Sequence, residues 1–188
     1  MGATDGRFDG QYGTAAIALH WVTALLILAN LLLGISMVPL PLSIRKLHWY
    51  SWHKWIGTTI FLLTCARLIW RLVRPAPPPV TMPGWQRRAA AVSHTLLYLL
   101  MLVIPISGWL YSSSTGVQVV YLGIVPLPDL VPKDKALASA LKAVHVSLNV
   151  AMVGVIAIHA AAAIKHHFVD RDEVLVRMWP RLRRKEPA

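Results

Sequence analysis

Charge is scarce in this 188-residue chain, and in one long stretch it is missing altogether: Gln11 to Ile44 contains no Asp, Glu, Lys or Arg. Charged residues amount to 14 %, against about a quarter in ordinary soluble domains. With 56 % hydrophobic residues and a mean hydropathy of +0.54, that scarcity excludes a water-soluble globular domain and points to one polytopic membrane domain over residues 1–188. Cysteine is nearly absent. The single Cys65 lies inside an apolar run, which excludes an intramolecular disulfide or a cysteine metal cluster and leaves a small buried side chain. A cleavable signal is not expected either, because one Arg and two Asp precede a first apolar run too long for a signal-peptide core. Gly6 stands where a myristoylation signal needs Ser or Thr. Insertion is expected to rest on the first span itself.

Acidic residues are few, 8 against 19 Lys and Arg, giving a formal charge of +11. Such a balance can signal nucleic acid, but here the cations are split among short segments between apolar runs and the tail, so no nucleic-acid partner is expected. Topology accounts for them better. The sequence predicts an all-α integral membrane four-helix bundle with spans over residues 15–38, 52–73, 88–112 and 136–168, each long enough for a core that needs about 20 residues. Pro39 and Pro41 close the first span, Arg74-Pro75 and the proline-rich run behind it close the second, and Pro105 with Gly108 predict a kink in the third. A connector from Ser113 to Lys135 carries several prolines. The N-terminal segment, the loop between spans two and three and the tail hold 13 of the 19 cations, which puts both termini on the cytoplasmic side. Trp21, Trp49, Trp52, Trp55 and Trp85, all near span ends, fit interfacial belts against membrane lipid.

What the spans do contain is histidine. His145 and His159 are fourteen residues apart in the last one, within about 40° of one helix face and about 21 Å apart along its axis. Each imidazole costs about 2 kcal/mol or more in hydrocarbon unless its nitrogens find partners, so both are read as functional. The topology assigns every histidine a depth: His53 and His145 toward the outside, His20 and His159 toward the inside. Two imidazoles at each of two levels suit bis-histidine ligation of two haem b groups, which leaves the iron no open site and fits it for electron transfer.

The second span repeats the interval. Arg67 follows His53 by fourteen residues and reaches the inner level, either to pair with a haem propionate or to extend to the cytoplasmic interface. Gly34 follows His20 by the same interval, and Met152 lies midway between His145 and His159; each is open to a cofactor contact or to close helix packing. His48 is expected in a loop ahead of the second span and is set aside in favour of His53. His94 is expected as a polar interface or quinone-contact residue, His166 and His167 in the headgroup layer.

The motifs IALHW at His20, WHKWIG and ARLIWRL in the second span, SHTLLYLL and PISG in the third, and AVHVSLN with IHAAAAIKHHF in the fourth resemble the bacterial cytochrome b561 family. The resemblance covers most of the chain and is weakest over Ser113 to Lys135. It implies a four-helix di-haem membrane cytochrome with His20, His53, His145 and His159 as axial iron ligands and electron transfer coupled to quinone.

The resemblance extends to stand-alone members that act as superoxide oxidases, carrying electrons from periplasmic superoxide to ubiquinone. Arg45, Lys46, Lys54 and Lys142 form a basic rim able to attract a small anion, or equally able to bind lipid phosphate. The histidine pattern is shared with cytochrome b subunits that relay electrons from a hydrogenase or dehydrogenase partner protein, and that reading stays open beside the oxidase. A haem-free transporter is the third reading. Transporter helices are often broken near the midplane, and spans one, two and four carry no such break.

Overall fold

The computed structural model describes residues 12–182. Arg7 and Gly6, used above for topology and lipidation, lie outside the described residues, as do the tail cations Arg183, Arg184 and Lys185. Four helices dominate: α1 (Thr14–Met37), α2 (Ile44–Val73), α3 (Gly84–Thr115) and α4 (Lys135–Lys165). All four are long and apolar enough to cross a membrane, α4 together with the turn that follows it, and most of their large apolar side chains face outward, as lipid-contacting surfaces require.

The expected spans correspond to these helices, but several boundaries differ. α2 begins eight residues before the expected start at 52, so the segment holding His48 is helical rather than a loop. The cause is local: Ser43, in extended backbone just after Pro41, accepts a hydrogen bond from the Lys46 amide at 3.3 Å and caps the helix outside the apolar run. Hydropathy marks the bilayer and not the helix; at 30 residues α2 is about 45 Å long, against a hydrocarbon core of about 30 Å. The Lys46 ammonium then donates to the carbonyls of Val38 (3.2 Å) and Leu40 (2.5 Å), tying the end of α1 to the start of α2. α3 runs unbroken through Pro105 and exceeds its expected 88–112 at both ends. α4 begins behind Asp134, whose carboxylate accepts from the Leu137 amide at 2.7 Å, and ends at Lys165 in a π-helical turn, His166–Asp170.

The connector between α3 and α4 is not irregular throughout. It folds into a small antiparallel hairpin, β1 (Val120–Tyr121) with β2 (Val125–Pro126). Trp55 of α2 donates to the Val120 carbonyl (2.7 Å) and Trp109 of α3 to the Pro128 carbonyl (3.0 Å), so the hairpin is fastened to both helices. Trp55 is thus a tether between α2 and the hairpin.

Trp21 is another. Beyond α4 the chain turns back, and Trp21 of α1 donates to the Met178 carbonyl at 2.8 Å while its ring meets Trp179 edge-on at 5.1 Å. Arg177 donates to the Pro78 carbonyl at 2.5 Å, so the tail also holds the loop between α2 and α3. His166, expected in the headgroup layer, is 8 % exposed and bound to Asp172 at 2.6 Å and Asp170 at 3.1 Å, carboxylates that the returning chain supplies.

Packing follows chain order: α1 lies against α2, α2 against α3, and α3 most extensively against α4. α4 has no extensive contact with α1 or α2 among the described residues. A cleft therefore separates the last helix from the first two, and the histidines point across it.

Candidate cofactor site between the helices

Two levels are visible along the cleft. At the level away from the termini, His53 of α2 and His145 of α4 have ring centres 6.2 Å apart with planes at 86°. At the level near the termini, His20 of α1 and His159 of α4 are 6.5 Å apart at 56°. These are called the outer and inner pairs. Each joins helices that do not pack on each other, so the imidazoles approach without the backbones closing the space.

The outer pair borders a cavity of about 430 Å³, within the range of small-molecule and cofactor sites. Its walls are mainly apolar, from side chains such as Leu31, Phe61 and Met101, with Lys46 and Lys54 among the few cations. Met152, 3 % exposed, belongs to this wall. So does Asn30, whose side-chain oxygen is buried without a hydrogen-bond partner. An apolar disc carrying carboxylates on one edge matches such a lining.

Ring nitrogens refine the picture. His53 Nδ1 faces the Asn30 carbonyl at 3.3 Å; a carbonyl only accepts, so Nδ1 carries the proton and Nε2 keeps its lone pair. His145 Nδ1 lies 2.9 Å from the Ser107 hydroxyl. Small residues admit both rings. A Cβ on Gly34 would stand 3.2 Å from His53 Cε1, and one on Gly108 3.0 Å from His145 Cε1, both inside ordinary carbon contact of about 3.5–4.0 Å.

The inner pair is arranged differently. Arg67 Nη2 is 3.4 Å from His20 Nδ1, and the guanidinium also stands 5.6 Å from the centre of the Tyr98 ring. An arginine only donates, so in this arrangement the His20 proton sits on Nε2. An Nε2 lone pair on His20 requires the guanidinium to leave Nδ1, and pairing with a carboxylate would draw it away. His94 of α3 is exposed, and its ring lies 5.3 Å from that of His159.

Two imidazoles bound trans to one metal through bonds of about 2 Å have ring centres roughly 6 Å apart. Both pairs meet that spacing, and the His94–His159 contact is closer. The residues present fit haem, with His53 already set to offer the lone pair of its Nε2. The structure places His20, His53, His145, His159 and Arg67 at the levels that helical spacing predicts. Sequence reasoning did not find Asn30 or the part played by Ser107. The signal available for Ser107 is a small polar residue between Pro105 and Gly108 in an apolar span, where only the proline and the glycine predict a kink.

A membrane bundle whose helices face one another through paired imidazoles defines a class, the membrane-embedded b-type cytochromes. The family model for prokaryotic cytochrome b561 matches residues 11–181, and the chain belongs to that family of membrane haem b electron-transfer proteins. It is 33 % identical over 175 residues to cytochrome b561 homolog 2 of Escherichia coli strain K12, covering 89 % of this chain and 90 % of that one. It is 31 % identical over 178 residues to the probable superoxide oxidase CybB of Yersinia pestis, covering 92 % and 98 %. Cytochrome b562 of Cereibacter sphaeroides is 28 % identical over 174 residues, covering 89 % and 94 %.

Proposed function

We propose that the chain binds two haem b groups, one between His53 and His145 and one between His20 and His159, and oxidises superoxide at its outer face while reducing ubiquinone. The observation that carries this reading is the pair of imidazole–imidazole spacings, 6.2 and 6.5 Å, at two depths of one cleft. Two superoxide anions each give up one electron and leave as dioxygen, and the quinone takes both electrons with two protons. Haem held at each level supplies reversible one-electron storage.

The protein's own residues do the rest. Lys46 and Lys54 place positive charge at the wall of the outer cavity, which raises the local concentration of a small anion. Arg67, half-buried beside His20, is the partner for a propionate at the inner level. His94 is exposed and touches His159 of the inner pair, and we assign it to the quinone headgroup. The excess of cations on the side of the termini supports an inner-membrane orientation with both termini in the cytoplasm. The name borne by the Yersinia pestis relative supports the choice of superoxide.

Stopped-flow absorbance of the purified holoprotein, mixed with a superoxide pulse, tests this. Reduction of both haems, followed by reoxidation on adding ubiquinone, is expected. Reduction no faster than the uncatalysed rate rejects superoxide as donor. Haems reducible only by a co-purifying dehydrogenase or hydrogenase identify a relay subunit instead.

A further inference from the structure

The Ser107 hydroxyl stands between two groups. It lies 2.7 Å from the carbonyl oxygen of Ile104 and 2.9 Å from Nδ1 of His145. A serine hydroxyl has one proton to give. The contact with Ile104 joins two oxygens, and a carbonyl brings none, so the proton of Ser107 lies in that contact. The contact with His145 then needs its proton from the imidazole, and Nδ1–H donates to the serine oxygen. Nε2 is left with its lone pair. Ser107 is 5 % exposed, so no solvent is at hand to reverse this assignment.

The neighbours complete the seat. Gly108 lets the ring approach α3, where a Cβ would stand 3.0 Å from Cε1 and 3.3 Å from Nδ1. Asn149 donates to the His145 backbone carbonyl at 2.7 Å, holding the same turn of α4. At His53 the equivalent acceptor is a main-chain carbonyl, which substitution cannot remove. The Ile104 carbonyl stands beside the same imidazole and is likewise beyond substitution, so Ser107 is the side-chain position at which the acceptor behind an outer imidazole can be altered without touching that imidazole.

We propose that Ser107 is a positioning residue: by accepting the Nδ1 proton of His145 it fixes Nε2 as the ligating nitrogen and strengthens that imidazole as a donor to the outer iron. This rests on His145 being an axial ligand. Acceptors behind a ligating histidine raise its basicity, and their removal typically costs 10–100-fold in metal affinity. A more basic imidazole favours the oxidised, more positive iron, so removing the acceptor raises the midpoint potential.

The test compares Ser107→Ala, Ser107→Thr and His145→Ala holoproteins by haem content, redox titration of each haem and low-temperature electron paramagnetic resonance. The inner haem serves as the internal measure of correct folding. Ser107→Ala is expected to raise the midpoint of the outer haem and shift its resonance signature, with weaker outer haem retention and an unchanged inner haem. Ser107→Thr, which keeps the hydroxyl, restores the original values. An outer haem in Ser107→Ala with unaltered potential and resonance overturns the proposal. So does loss of both haems, which would make Ser107 a requirement of the bundle and not of one imidazole. Retention of two haems in His145→Ala overturns the ligand assignment itself, an outcome distinct from failure of the serine variants.

Discussion

His145 lies directly against the backbone of Gly108, so close that a β-carbon there would stand 3.0 Å from the imidazole Cε1. The contact joins α3 to α4 along their most extensive interface, so with a β-carbon there the ring would have to shift toward the cavity that it borders. Overpacking of this kind costs about 1–3 kcal/mol. Gly108→Ala is therefore expected to lower outer haem occupancy several-fold while the inner haem stays, measured as haem per protein in the purified variant. Gly34→Ala, with 3.2 Å to His53 Cε1, should act in the same direction and less strongly.

The two levels predict separable losses. His159→Ala should remove the inner haem and spare the outer one, and His145→Ala the reverse, because each takes away one imidazole of one pair. Pyridine haemochrome quantitation of each variant, with redox titration to identify the haem that remains, checks this. Equal retention in both would undo the pairing.

His94 is exposed, and its ring touches that of His159. If it hydrogen-bonds the quinone headgroup, His94→Ala should slow reoxidation of the haems by ubiquinone about tenfold, the equivalent of one hydrogen bond of roughly 1.4 kcal/mol. Reduction of the haems by superoxide should be unaffected. A variant slowed equally in both half-reactions would place His94 in the structure of the inner level and not at the acceptor.

The returning tail is fastened to α1 through the Trp21 Nε1 bond to Met178 and the edge contact with Trp179. Trp21→Phe keeps an aromatic ring and deletes the donor, at a cost of about 1 kcal/mol. Limited proteolysis should then cut the segment after Asp170 roughly five times faster, with both haems retained. Unchanged cleavage would mean that the Arg177 bond to Pro78 and the His166–Asp172 pair hold the tail without Trp21.

The sequence by itself determined the four spans, the fourteen-residue interval of the histidines and the depth of each, because apolar run length and helical rise are local properties that neighbouring residues settle. It did not reveal that α2 begins at Ile44, since hydropathy reports where lipid lies while Ser43 sets where the helix starts. Only the tertiary structure decided that Ser107 meets His145, that Arg67 meets His20 and that the tail returns to Trp21. Those partners are 38, 47 and 157 residues apart in the chain. Such contacts exist only once the helices have packed, and no periodicity along a single helix encodes them.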